Sequence, residues 1–180
     1  MKNLGFIAAL ILSFSFSAQA GQIRNLKTVI EGKVYRAGTT GKAQYNDSTL
    51  TDLCEQGYTV AIYLYAGATH RTIGCSGGRS ITYMSIPKYQ NIDNVTGQIA
   101  AALNSGGKAI FHCWNGVHAT GFIAAATLNR FCGFSGAQAA SYFERGVPAG
   151  SLPQSSINKL SGILKAQPSG GQVIQGCPGA

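Results

Sequence analysis

Acidic side chains are scarce in this sequence, with six Asp and Glu against 14 Lys and Arg and a formal net charge of +8. Such an excess of positive charge indicates either a solubilising surface or a preference for anionic ligands. The sequence lacks basic runs, RNA-binding motifs and repeats of aromatic and basic residues, which argues against a nucleic-acid partner.

It also lacks internal repeats and a domain boundary. We therefore expect one domain over residues 21–180, ending in a Gly/Pro-rich tail from about residue 167.

Long apolar runs are absent after residue 20, because no later stretch approaches the ~18 apolar residues that a membrane span needs. The first 20 residues have a different pattern. Lys2 precedes an apolar core over residues 4–16, and Ala18-Gln19-Ala20 is a small-residue cleavage signature. This pattern is typical of a secretory signal peptide cut before Gly21. We predict a periplasmic or secreted protein without a membrane span.

The sequence contains no C-x-x-C motif, which argues against a thioredoxin-like role. It has five cysteines, so at least one cannot pair within the chain. If Cys113 is the free one, the other four allow three pairings. We favour Cys54 with Cys75 and Cys132 with Cys177, since the second pair would fix the tail. The alternative is that some of them are buried free thiols.

Strand and helix patterns alternate along the chain. Apolar and β-branched runs predict strands at 33–38, 58–65, 80–86 and 108–113. Helical patterns are found at 46–57, from Asp93 to the glycine pair at 106–107, and at 119–131, 134–146 and 152–166. Asp47 or Ser48 is the expected cap of the first helix, and 66–79 is an expected loop. This order predicts a single-domain α/β fold with a mainly parallel central sheet, flanked by helices on both faces.

One stretch, HCWNGVHATG at residues 112–121, carries the chemistry. Cys113 follows an apolar strand, and Gly116 lies just before an apolar helix. A strand, a glycine-containing loop and a helix together bind phosphate, because loop N–H groups turn inward and the helix adds its positive dipole end. A cysteine at that point has a stabilised thiolate, which makes it nucleophilic. The position of Cys113 therefore suits phosphoryl transfer through a cysteinyl-phosphate.

The stretch resembles the protein tyrosine phosphatase signature H-C-x-x-G-x-x-R-S/T-G, with the dual-specificity branch the most similar. The likeness extends from VYRAG at 34–38 to CGFSGAQAASYF at 132–143, about 110 residues. It implies a cysteine-phosphatase-like fold in which Cys113 is the nucleophile and the Thr120 hydroxyl stabilises the leaving thiolate. It also implies that the phosphate is held by the loop residues Trp114, Asn115, Gly116, Val117, His118 and Ala119.

Two departures from the family pattern bear on activity. The signature arginine, which grips phosphate and stabilises the transition state, is Ala119 in this sequence. The general acid is also missing, because residues 79–91 contain no carboxylate, and Asp93 is better placed to cap a helix. The resemblance then predicts binding of a phosphorylated or other anionic small molecule or phosphoprotein, with little or no turnover. Whether the protein is an enzyme stays open.

Two residues could replace the arginine, which would give a weak phosphomonoesterase acting on a small phosphoester. His118 adjoins the expected anion, although a helix N-terminus disfavours its charged form. Its competing role is to cap the loop or to stack on Trp114. Arg36 could enter from the VYRAG segment, and its competing role is a surface or structural ion pair.

Three other basic residues are weaker candidates. His70 and Arg71 lie on a long segment that could cover the site. Lys88 occupies the region of the family's acid loop, where contact with solvent is the simpler interpretation.

A third class of function uses Cys113, His112 and His118 for redox, metal or sulfurtransferase chemistry. His112 should point away from the loop, and no second Cys/His cluster is placed to complete four ligands, so we predict no metal and no cofactor. A rhodanese-like sulfurtransferase is expected to have a basic loop, and this loop is not basic.

Overall fold

The computed structural model of the protein describes residues 22–87, 90–170 and 173–178. The predicted signal peptide and Lys88 lie outside the described residues. Within these ranges the strands are β1 (Ile23–Ile30), β2 (Val34–Thr39), β3 (Tyr58–Tyr63), β4 (Arg71–Gly74), β5 (Ser80–Ser85) and β6 (Lys108–His112). The α-helices are α1 (Asp47–Glu55), α2 (Ile92–Asn104), α3 (His118–Cys132), α4 (Gly136–Gly146) and α5 (Gln154–Lys165).

The strands form one sheet in the order β1-β2-β6-β3-β5-β4. The four inner strands run parallel to one another, whereas β1 and β4 pair antiparallel at the two edges. The prediction of an α/β fold with a mainly parallel sheet is confirmed. Because β6 lies between β2 and β3, the HCWNGVHATG stretch leaves the sheet at an interior position, with a strand on either side.

Helices cover both faces of the sheet, as predicted, because strand side chains alternate between two apolar clusters. Val60, Ile62 and Phe111 belong to the larger cluster, which contains side chains of α2, α3, α4 and α5. Ala61 and Ile110 point the other way, into a smaller cluster with α1. Helix α3 is buried on nearly all sides, which fits its apolar sequence.

Two strands escape sequence analysis, and both are exposed edge strands. β4 lies within the 66–79 segment predicted to be a loop, and β1 precedes every predicted strand. Their side chains are mostly exposed, so they lack the apolar pattern that marks a buried strand. They are held in place by backbone pairing with β5 and β2.

The helix caps also differ from the prediction. The side chain of Asn46, rather than Asp47 or Ser48, caps α1 by accepting a hydrogen bond from the Thr49 N–H at 2.9 Å. Asp93 is not the cap of α2, because the helix has already begun at Ile92. Asp93 instead lies in the first turn, where a carboxylate is favoured by the helix dipole.

The structure joins the two cysteine pairs that sequence analysis favoured. Cys54–Cys75 links α1 to the segment after β4, and Cys132–Cys177 links the end of α3 to the tail. Two disulfides indicate an oxidising compartment. In the described part of the chain, no helix has both the length and the apolar character that crossing a membrane requires.

Candidate functional site

Residues 113–118, hereafter the Cys113 loop, connect the end of β6 to the start of α3. Two glycines allow the loop to lie directly on β2. A Cβ on Gly38 would be 2.6 Å from the carbonyl carbon of Asn115, and a Cβ on Gly116 would be 2.5 Å from the backbone nitrogen of Gly38. Gly116 also has a φ of +70°, which favours glycine. The close packing of the loop on β2 therefore depends on Gly38 in the strand and on Gly116 in the loop.

The carbonyl groups of Trp114 and Asn115, in the first half of the Cys113 loop, point outward, toward β1 and β2. The Trp114 carbonyl accepts from the Thr39 N–H at 3.0 Å and from the Arg24 guanidinium at 3.2 Å. The Asn115 carbonyl accepts from the Asn25 side-chain amide at 3.0 Å. Because the C=O and N–H of a trans peptide point in opposite directions, the next N–H groups along the loop turn inward.

Cys113 lies on the inner side of this loop and is 3% exposed. The inward-pointing Gly116 N–H donates to its Sγ at 3.2 Å. The Sγ also makes a long contact of 4.0 Å with Oγ1 of Thr120, which is buried in the first turn of α3. The Gly116 N–H and the first turn of the 15-residue helix α3 thus lie beside the sulfur, an arrangement that stabilises negative charge.

The Ala119 side chain offers nothing to an anion. It is 1% exposed and packs into the larger apolar cluster. Only its backbone can take part in binding at this position.

His118 is held by the turn between α4 and α5. The Ser151 hydroxyl donates to the Pro148 carbonyl at 2.6 Å, so the Nε2–H of His118 donates to Ser151 Oγ at 2.9 Å. His118 does not cap α3 by its side chain. Burial lowers its pKa from the ordinary value, which keeps the ring neutral at pH 7. A neutral imidazole is a poor substitute for arginine.

His112 faces away from the Cys113 loop, as expected for the last residue of the strand. Its ring lies in the smaller cluster, stacked 3.8 Å from Tyr45 and 4.9 Å from Tyr63 between ring centroids. Its Nε2 is hydrogen-bonded to the Tyr83 hydroxyl at 2.8 Å. Burial lowers the pKa of His112 to about 3. The described residues contain no group of three or more His, Cys, Asp and Glu side chains that could hold a metal ion.

Trp114 is 41% exposed beside the loop. Its Nε1–H donates to the Tyr63 hydroxyl at 2.8 Å, and its ring centroid lies 5.0 Å from that of Tyr65. These contacts hold the indole beside the loop, where part of it is exposed to solvent.

Arg36 is buried, with 6% exposure, on β2. Its Nη1 lies 3.0 Å from the place that a Cβ on Gly121 would occupy, so the guanidinium packs against the first turn of α3. Neither Nε nor Nη1 has a hydrogen-bond partner among the residues that the structure describes. The competing interpretation of Arg36 as a surface or structural ion pair is not met by any ion pair among the described residues.

His70 and Arg71 do not cover the loop. Arg71 lies on the edge strand β4, three strands away from β6, and pairs with Asp47 at 2.9 Å. Its Nη2 donates to the Tyr45 carbonyl at 2.6 Å. His70 directly precedes this strand. The contacts of the loop come instead from Arg24 and Asn25 on β1, which sequence analysis missed because nothing in the sequence pairs these residues with a loop some 90 positions later.

Comparison with solved structures shows the same architecture in a group of phosphatases. Tk-PTP in its active form aligns with a TM-score of 0.53 at 16% identity over 79% of this chain and 97% of its own. A mouse dual specificity phosphatase complexed with zinc tungstate gives a TM-score of 0.52 at 17% identity over 87% and 96%. A cysteine-to-serine variant of TpbA from P. aeruginosa in complex with pTyr gives 0.51 at 14% identity over 83% and 92%.

The chain has the fold of the dual-specificity and tyrosine phosphatases. At these identities the likeness concerns the fold alone. No family model matches the sequence, and no curated protein matches it. The phosphatase-like fold nevertheless confirms what the signature at residues 112–121 implied about architecture.

Proposed function

We propose that this is an exported, phosphatase-like protein whose Cys113 loop binds a phosphorylated or other anionic ligand with little or no turnover. One observation carries the proposal. The Gly116 N–H of the loop donates to the buried Cys113 sulfur next to the start of α3, while the position of the family's arginine is occupied by the buried methyl group of Ala119.

Binding follows from the backbone. The outward carbonyl bonds to β1 and β2 hold the inward N–H groups in place before any ligand arrives. Prearranged donors at a helix N-terminus favour a phosphate or sulfate group. A net charge of +8 adds a general attraction for anions.

Slow turnover follows from what the side chains lack. One missing charged donor typically costs ~10² to 10³ in rate. The absence of a carboxylate in residues 79–91 removes the family's general acid, which costs ~10² to 10⁴. The two losses need not multiply, because residues of one catalytic unit act together.

The ligand class is a phosphorylated small molecule or a phosphoprotein. The TpbA structure in complex with pTyr and the mouse structure complexed with zinc tungstate support an oxyanion ligand for a protein of this fold. The exposed face of Trp114 adds an apolar surface for the group that carries the anion.

Export is part of the proposal. The signal-peptide pattern of residues 1–20 and the two disulfides support a periplasmic or secreted location. We expect the mature protein to begin at Gly21, which mass spectrometry of the exported fraction checks.

Binding and turnover can be separated in one experiment. Trp114 is the single tryptophan, so its fluorescence reports titrations with inorganic phosphate and tungstate. Single-turnover phosphate release from an aryl phosphate is then measured for wild type and for Cys113→Ser. We expect saturable oxyanion binding in both proteins, and release in wild type at least ~10²-fold slower than for a phosphatase with its arginine.

Two results would contradict this function. Absence of any oxyanion binding would remove the ligand site. Cysteine-dependent release at ordinary phosphatase rates would instead favour the phosphomonoesterase alternative, with Arg36 or His118 as the substitute.

A further inference from the structure

Among the described residues, the guanidinium of Arg36 is the buried charge that its contacts do not explain. The ion pairs seen among the described residues are Arg71–Asp47, Arg79–Glu55 and Lys165–Glu144. None involves Arg36, although its side chain is 94% buried and two of its nitrogens have no hydrogen-bond partner in that part of the chain. A buried charge without a partner is strongly unfavourable. A bound anion would compensate the charge of the Arg36 guanidinium.

The side chain of Arg36 lies on the same face of the sheet as that of Cys113. β2 and β6 are parallel neighbours, with Arg36 opposite Phe111, two residues before Cys113. Phe111 and Cys113 both belong to the larger apolar cluster. Strand spacing and rise place the Cα atoms of Arg36 and Cys113 about 8 Å apart, which is within the reach of an arginine side chain.

The guanidinium is directed toward the first turn of α3. Its Nη1 lies against Gly121, where a Cβ would be 3.0 Å away. Gly121 adjoins Thr120, whose hydroxyl contacts the Cys113 sulfur. Two residues after Arg36 on β2, Gly38 supports the loop at Asn115. Arg36 thus lies below the junction of the Cys113 loop and α3.

We propose that Arg36 supplies, from strand β2, the positive charge for an oxyanion bound in the Cys113 loop, in place of an arginine in the loop itself. This inference rests on the proposed function. It names the cation of that site and favours a tetrahedral dianion such as a phosphomonoester, because a guanidinium and a helix N-terminus act on it together.

The other basic groups near the loop are already committed elsewhere. The Arg24 guanidinium donates to the Trp114 carbonyl and to Oδ1 of Asn115 on the outer side of the loop. His118 donates to Ser151 and is neutral at pH 7, since burial lowers its pKa. Among the basic groups that the structure describes around the loop, Arg36 is left as the charge on the inner side.

The test compares Arg36→Met and Arg36→Lys with Arg130→Met, a matched change at an exposed arginine in the last turn of α3. Inorganic phosphate and tungstate are titrated by Trp114 fluorescence, and thermal midpoints are recorded with and without phosphate. We expect Arg36→Met to weaken oxyanion binding about 10- to 100-fold. Arg36→Lys should lie in between, and Arg130→Met should match wild type.

The thermal midpoint of the ligand-free protein gives a second readout, because the proposal and a purely structural role of Arg36 predict different changes in it. Replacing an unpaired buried charge by an apolar side chain of similar volume should leave this midpoint unchanged or raise it. The increase caused by phosphate should be lost in the same variant. An arginine with a purely structural role would lower the ligand-free midpoint and leave oxyanion affinity unchanged.

Oxyanion binding within about threefold of wild type in Arg36→Met would overturn the inference and leave the proposed function intact. Absence of binding in wild type would overturn both. If Arg36→Met does not fold, the Nε–H resonance of Arg36 in the wild-type protein decides. It must shift on addition of phosphate, and a resonance that stays in place at saturation overturns the inference.

Discussion

His112 and Cys113 are neighbours in the chain, yet their side chains lie in different apolar clusters on opposite faces of the sheet. The histidine of the signature therefore acts through packing. Its ring stacks on Tyr45 and Tyr63 and is hydrogen-bonded to Tyr83, which anchors the end of β6 where the Cys113 loop begins.

This packing predicts that His112 makes the fold sensitive to acid. The pKa of His112 is about 3 in the folded chain against 6.5 when unfolded. Between these values the unfolded chain binds one more proton, so the free energy of unfolding falls as the pH falls from 6.5. The contribution approaches about 1.4 kcal/mol per pH unit. Above pH 6.5 the full contribution is present.

Urea unfolding of wild type and His112→Phe between pH 7.5 and pH 4.5 measures this effect. Phenylalanine keeps the stacking and removes the titration, so the variant should lose stability less steeply on acidification. A constant loss of stability in the variant does not matter, because the slopes are compared. His70→Gln, a change at an exposed histidine, serves as the control. Equal slopes for wild type and His112→Phe would disprove the assignment.

At the residue scale, the sequence identifies Cys113, Gly116 and Thr120, because their spacing matches a known signature. It does not reveal that Arg36 is buried with no ion-pair partner in the described part of the chain. A sequence shows which residues carry charge, but the position of Arg36 below α3 depends on how β2 is placed beside β6.

At the scale of elements, the close contact between β2 and the Cys113 loop determines the conformation of the loop. Gly38→Ala adds a Cβ that meets the Asn115 carbonyl carbon at 2.6 Å, and backbone cannot move aside as a flexible side chain would. We expect a loss of about 1 to 3 kcal/mol in the free energy of unfolding. Oxyanion binding should weaken as well, because the inward N–H groups are displaced.

Gly97→Ala in α2 is the matched control for this prediction. A Cβ there has no atom within 4 Å, and alanine favours a helix, so stability should stay unchanged or rise by up to ~1 kcal/mol. Chemical denaturation and tungstate titration of both variants check the pair. A Gly38→Ala protein that keeps wild-type stability and affinity would show that the loop does not need its close approach to β2.

The elements that sequence analysis predicted are those with buried side chains. The residues of β3, β5 and β6 include apolar and β-branched side chains. Because many of these side chains are buried, the pattern can be recognised in the sequence. β1 and β4 are formed by pairing at a sheet edge, which a local pattern does not encode. Cap choice fails for a similar reason, because Asn46, Asp47 and Ser48 can all cap a helix and the path of the chain selects one.

At the scale of the whole molecule, the two disulfides close segments with sequence separations of 21 and 45 residues. Loop-closure entropy gives each a contribution of roughly 3 to 4 kcal/mol to stability. We predict that the double variant Cys132→Ser/Cys177→Ser loses about that amount in urea unfolding. It should retain oxyanion binding, because this disulfide joins the end of α3 opposite to the Cys113 loop.

Thiol titration of the wild-type protein is the companion measurement. One thiol per chain should react in denaturant, and it should react slowly in the native state because Cys113 is 3% exposed. Peptide mapping that placed Cys113 in a disulfide would contradict its assignment as the free cysteine.

The buried position of Cys113 has a consequence for how the chain acquires its covalent structure. Five choices of the free cysteine, with three pairings of the others in each case, give fifteen ways to form two disulfides, of which one is native. An unfolded chain in an oxidising medium exposes all five sulfurs, and Cys113 is then a competitor for every partner. The yield of correct oxidation depends on how early β6 and α3 enclose that sulfur, relative to the first oxidation event. Cys113 therefore competes with correct disulfide formation until it is enclosed. A Cys113→Ala chain, which has three possible pairings instead of fifteen, should refold oxidatively in higher yield.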